Sequence, residues 1–165
     1  MLLPHLSRIP IFRLPTTWPI PYILADLLNL HLRANALLDP GSAICWIRES
    51  LYREAINRDC KTAYRLIPKL DDPFAAPRNE LVALLPIRVR DRYSSPDDDF
   101  WVPEVPFYSR KVSDVIYEDL DVGLGMAFFE RFGKVDIDLS GNLLWLDEFH
   151  DTSDGLRARR WNGGM

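Results

Sequence analysis

Asp136 and Asp138, in the run Val-Asp-Ile-Asp, are of a type and spacing that could do chemistry. On a strand, side chains two residues apart share a face, so the pair could offer hard oxygen ligands to one divalent cation. Asp147, Glu148, His150 and Asp151 follow nearby. Enzymes that use such a pair need carboxylates from later strands, and only 14 residues follow Asp151. The same acids also read as the solvent face of a hairpin, so no metal ligand is assigned.

A second constellation is Ile-Arg-Val-Arg-Asp-Arg-Tyr (87–93), where Ile87, Val89 and Asp91 alternate with Arg88, Arg90 and Arg92. Period-two alternation predicts a strand with one arginine face. That face could bind phosphate, recruit an acidic partner, or meet the chain's own Asp97, Asp98 and Asp99. His5, His31 and His150 lie far apart, with His31 among expected helical core positions. Cys45 and Cys60 have no Cys-x-x-Cys context and no nearby histidine, which leaves a thiol nucleophile without support. Asp-Val-Gly-Leu-Gly-Met (121–126) lacks the third glycine of a phosphate loop, and no Gly-x-Ser-x-Gly elbow occurs. No catalytic residue and no cofactor is expected.

The elements that would position these groups follow from periodicity and breakers. Ile23, Leu27, Leu30, Ala34 and Leu37 recur at helical spacing, with Thr17 as a cap and Pro19 and Pro21 in the first turn. Asp-Pro-Gly-Ser (39–42) breaks that pattern, and a second helix is expected from about Ser42 to Ile67. It would carry the i,i+4 pairs Glu49/Arg53 and Glu54/Arg58 and hold Cys45 and Cys60 too far apart for a disulfide. Residues 68–79 read as a linker. A short helical piece over Glu80–Leu85, the arginine strand, a helix capped by Ser113, a helix in Met-Ala-Phe-Phe-Glu-Arg-Phe ending at Gly133, and a hairpin over 135–146 complete the pattern. The expected fold class is α+β: an N-terminal helical region (1–67), a linker, a small α+β region (80–154) with an antiparallel β-hairpin, and a frayed tail (155–165).

The 165 residues carry 20 Lys and Arg against 24 Asp and Glu, a net charge of −4, with 47% apolar residues. That apolar share suffices for a core. The balance is uneven: residues 1–70 have nine basic and five acidic residues, residues 71–165 eleven and nineteen. Without a concentrated basic surface, nucleic-acid binding is disfavoured. No apolar run approaches a membrane span, and two cysteines point to a reducing, intracellular compartment. From Asp114 to Asp154, eleven acids face only Arg131 and Lys134, among Phe128, Phe129, Phe132, Trp145 and Phe149. Acid around aromatics suits a surface for a basic protein, with Asp136, Asp138, Trp145, Asp147 and Glu148 as its candidate contacts.

Leu14-Pro15, Ile23-Leu24, Leu27-Leu28, Arg-Ala-Asn-Ala-Leu-Leu (33–38) and Leu-Tyr-Arg-Glu-Ala-Ile (51–56) together resemble the F-box, particularly of fungal proteins. The resemblance covers residues 14–58. It implies a helical cluster docking on a Skp-family adaptor of cullin-RING ubiquitin ligases, with Leu14, Pro15, Ile23, Leu24, Leu27 and Leu51 at contact or scaffold positions. Thr16, Thr17 and Trp18 depart from the acidic residue common after the Leu-Pro pair, and Pro19 and Pro21 fall where the first helix should begin. The function expected is therefore a non-catalytic protein-binding adaptor. An acidic inhibitor or immunity-type protein is the alternative, and a small metal-dependent enzyme comes third.

Overall fold

The computed structural model describes residues 9–15, 20–67, 78–89, 100–111 and 119–150. Within them the chain is mostly strand. In order come β1 (Ile9–Pro10), β2 (Phe12–Arg13), β3 (Pro21–Leu27), β4 (Leu32–Leu38), β5 (Cys45–Arg48), α1 (Glu49–Asn57), β6 (Lys61–Ile67), β7 (Arg78–Val89), β8 (Phe100–Arg110), β9 (Val122–Leu124), α2 (Met126–Phe129), β10 (Phe132–Asp138) and β11 (Leu143–Phe149). The larger sheet runs β2-β3-β4-β9-β5-β8-β7-β6, and β3 also pairs with β7. That extra pairing closes six of the strands into a ring around the main core. A three-stranded sheet, β1-β11-β10, completes the fold.

The expected N-terminal helical region is thus overturned. In β3, Ile23, Ala25 and Leu27 are buried while Tyr22, Leu24 and Asp26 face outward; in β4, Ala34, Ala36 and Leu38 are buried. Ile23, Leu27, Leu30 and Ala34 satisfy a helical period, but the intervening positions satisfy a period of two, and tertiary pairing decides. Pro21 opens β3 and Arg13 is its register partner, a strand-start position where a missing N–H is tolerated. His31, expected in a helical core, is exposed in a left-handed turn between β3 and β4, with φ 50°.

Of the second expected helix only α1 forms, and on it both i,i+4 pairs close, Glu49–Arg53 at 2.7 Å and Glu54–Arg58 at 3.0 Å. Cys45 lies in β5 and Cys60 just before β6, both buried and free. Glu80–Leu85 is strand, part of β7, not helix. Most of the expected linker (68–77), Thr17, Pro19, His5, Arg90, Arg92, Asp97 to Asp99, the Ser113 helix start and the tail lie outside the described residues. No helix among the described residues is long and apolar enough to cross a membrane.

Arg88 on β7 does meet a carboxylate of the chain, but it is Asp26 on β3, at 2.9 Å. Arg33 on β4 reaches the same aspartate at 3.2 Å. Burial alone pushes the Asp26 carboxyl up, yet hydrogen bonds and charge from the two arginines outweigh it and hold its pKa below the usual value. A pKa lowered by folding stabilises the native state above the unfolded value and loses that contribution as pH falls through the folded value. Asp26→Asn should therefore cost about 1.5–3 kcal/mol near neutral pH. Urea denaturation of both proteins checks this, and the gap should close as the medium becomes strongly acidic.

Candidate functional site

The acidic residue best placed for chemistry is Asp39, at the end of β4. β4 and β5 follow one another in sequence but are not neighbours, because β9 is inserted between them. It pairs parallel with β4 (Leu37↔Gly123) and antiparallel with β5 (Trp46↔Gly123). At roughly 4.8 Å per strand step the connecting loop must cross about 10 Å over the end of β9.

Residues 39–44 make that crossing, and backbone hydrogen bonds hold it on both sides. The Asp39 N–H donates to Leu124 O (3.0 Å), the Ser42 N–H to Asp39 O (3.0 Å), and the Met126 N–H to Ser42 O (2.7 Å). Asp at the first position and Pro40 at the second suit this turn chemically. The Ser42 hydroxyl adds a bond to Ile44 O at 3.1 Å.

Asp39 is half-buried, and its Oδ1 lies 3.8 Å from where a Cβ on Gly41 would stand. Among the described residues its carboxylate has no hydrogen bond and no cation partner. Two other half-buried aspartates differ: Asp26 is held by two arginines, while Asp121 accepts the Asn35 N–H at 2.8 Å and faces Arg48 at 3.9 Å.

Beneath the loop, Gly123 and Gly125 leave no room for side chains. A Cβ on Gly123 would stand 2.5 Å from Trp46 Cδ1, and one on Gly125 would stand 2.6 Å from Ser42 O and 2.8 Å from the Ile44 carbonyl carbon. The two glycines read in sequence as an incomplete phosphate loop are therefore packing positions. The Gly125 N–H points at Cys45 Sγ, 3.3 Å away. Burial, foremost, pushes the Cys45 thiol up to about 12, which keeps it protonated and inert. Titration of the native protein with a disulfide reagent at pH 8 should show Cys45 unreacted until denaturant is added.

The residues singled out from sequence are distributed otherwise. Leu14 is buried in a second apolar cluster with Trp46 and Leu120, while Ile23 and Leu27 belong to the main core. Leu51 packs at its margin, Pro15 is exposed, and Leu24 is 37% exposed on the outer face of β3. These positions form no common docking surface, and Pro21–Leu27, Leu32–Leu38 and Cys45–Arg48 are strands where helices were expected; the F-box adaptor expectation, with its ubiquitin-ligase association, is overturned.

Asp136 and Trp145 do come together as cross-strand neighbours on the β10–β11 hairpin. Asp138 accepts hydrogen bonds from the Ser140 hydroxyl and the Gly141 N–H, both at 2.9 Å, and shapes the turn. Asp147 Oδ1 accepts the Glu148 N–H at 2.8 Å, and Glu148 pairs with Lys134 at 3.4 Å. No group of three or more metal-ligating side chains occurs among the described residues. The described residues thus supply no ligand set for the metal-dependent enzyme, and Asp138 and Asp147, expected on an acidic docking face, each accept a local main-chain hydrogen bond.

Sequence reasoning passes over Asp39, taking Asp-Pro-Gly-Ser as a break between helices. A signal was present: an alternating run, Leu32 to Leu38, enters the acidic turn directly, and a short apolar run, Ile44 to Ile47, leaves it.

No protein-family model matches the chain, and no curated protein matches it. Among solved structures, it is similar to a retropepsin-like aspartic protease from Rickettsia conorii, with a TM-score of 0.44 at 13% identity, over 85% of this chain and 92% of that one. It is also similar to the retroviral protease-like domain of Ddi1 from Leishmania major, with a TM-score of 0.45 at 13% identity, over 79% and 90%.

Proposed function

We propose that this chain is one protomer of an aspartic-type peptidase in which Asp39 supplies one of two catalytic carboxylates. The observation that carries this is the Asp39 loop itself. A half-buried carboxylate, unclaimed by any cation among the described residues, stands on a turn anchored to β9 and braced by glycine packing. A site built on so rigid a support is preorganised.

Hydrolysis of an amide by carboxylates needs a pair sharing one proton. The ionised member takes a proton from the attacking water, and the protonated member gives one to the carbonyl oxygen. Asp39 is the sole acid of the crossing loop (39–44), so the partner carboxylate is assigned to the same loop of a second copy, brought opposite by a twofold axis. Mass spectrometry of a randomised decapeptide mixture incubated with the purified chain tests this. Cleavage is expected, with specific activity rising with protein concentration as dimers form, and Asp39→Asn should abolish it. Cleavage retained in Asp39→Asn would overturn the proposal.

A further inference from the structure

We infer that Tyr108 is a substrate-binding residue whose hydroxyl donates a hydrogen bond to a backbone carbonyl of the peptide held beside Asp39; this rests on the peptidase proposal above. The inference comes from register. Tyr108 on β8 is the parallel partner of Trp46 on β5, Trp46 is the partner of Gly123 on β9, and Gly123 is the partner of Leu37 on β4. These four positions make one transverse row.

Leu37, Trp46 and Tyr108 pack in the second apolar cluster, with Leu14 and Leu120, on the side of the sheet away from the main core. Asp39 stands two residues beyond Leu37, and alternation along an extended chain turns it to that same side. Because Gly123 has no side chain, the Trp46 indole fills the middle of the row, and Arg110 lies over it with 5.3 Å from the guanidinium carbon to the ring centroid.

Tyr108 is half-buried in this apolar row, and its hydroxyl has no hydrogen-bond partner among the described residues. The ring is packed while the hydroxyl itself reaches the surface, so a ligand carbonyl can take the place of water on it. Burial first, with the charges of Glu80 and Asp39 acting in the same direction and Arg110 against them, pushes its phenol up, so it stays a donor at neutral pH. An apolar wall with one placed donor is the arrangement that orients a ligand.

Tyr108→Phe deletes only the oxygen, and the test is kinetic. On the decapeptide that the wild-type chain cleaves best, KM should rise about tenfold with kcat unchanged, as expected for a bond present in both ground and transition states. Thermal unfolding should stay that of wild type. Calorimetric titration of the same decapeptide into Asp39→Asn and into Asp39→Asn/Tyr108→Phe should show binding about tenfold weaker in the second.

Equal KM and equal affinity overturn the role of Tyr108 while leaving Asp39 untouched. Should the wild type cleave nothing, the peptidase proposal falls and calorimetry with the decapeptide mixture decides alone. A deficit confined to the protein carrying Tyr108→Phe then supports the binding role, and equal heats overturn it.

Discussion

Asp39→Asn is expected to lower peptide cleavage by at least about a hundredfold, the scale of losing a positioned acid-base group, with the fold intact. The substitution keeps the shape of the side chain and removes its charge. Because the carboxylate bonds to nothing among the described residues, its loss should change stability by no more than about 0.5 kcal/mol. Catalysis and stability are thereby separated in a single variant. The turn is held by main-chain donors and acceptors of Asp39, Ser42, Leu124 and Met126, none of which the substitution alters. Initial rates on the best-cleaved decapeptide, beside a thermal melt, make the measurement. A melting temperature that falls together with activity would instead mark Asp39 as a structural residue.

The largest stability effect is expected at Gly125. Its φ of −103° suits any residue, so the constraint is space alone: a Cβ would be driven into the Ser42 and Ile44 main chain. Backbone cannot swing aside as a side chain can, and relief would require the 39–44 crossing to lift off β9. Gly125→Ala should therefore cost roughly 3 kcal/mol, the upper end for overpacking, lowering the melting temperature by roughly 6–12 °C for a chain of this size. It should also depress cleavage, since the same loop carries Asp39.

Gly123→Ala meets the Trp46 indole instead, and that clash can be removed from the other side. In the double variant Gly123→Ala/Trp46→Leu, the penalty should fall below the sum of the single changes, a coupling expected of groups in contact. Additive penalties would mean that the two residues do not share this space.

Some local features were legible in the sequence for local reasons. The alternation of Val135 and Ile137 with Asp136 and Asp138, followed by Ser-Gly-Asn, marks a strand entering a tight turn, and Asn142 takes the left-handed conformation there with φ 54°. Glu49/Arg53 and Glu54/Arg58 needed only one helix turn to meet. Ile87 and Val89 needed only the alternation of their own strand, and both are buried.

The N-terminal third was misjudged because its leucines and alanines fit two periods at once. Ile23, Leu27, Leu30 and Ala34 make a plausible helical stripe, while Ile23, Ala25 and Leu27 with Ala34, Ala36 and Leu38 make two strands. Choosing between them requires knowing that β3 finds β4 and β7 as partners, and β7 begins some fifty residues further on.

Asp39 was hidden for a related reason. Read alone, Asp-Pro-Gly-Ser stops one element and starts another. It becomes a candidate site only when Val122–Leu124, some eighty residues later, slips between β4 and β5 and obliges the turn to bridge them. What the sequence determined by itself was therefore short-range: turns, the i,i+4 pairs within α1 and the alternation of single strands, all set by neighbours a few residues apart. Tertiary structure alone decided which strands pair, that Gly123 and Gly125 must stay without side chains, and that Asp39 is held half-buried with neither a hydrogen bond to its carboxylate nor a counter-ion among the described residues. Those outcomes depend on hydrogen bonds and packing between segments that no local pattern relates.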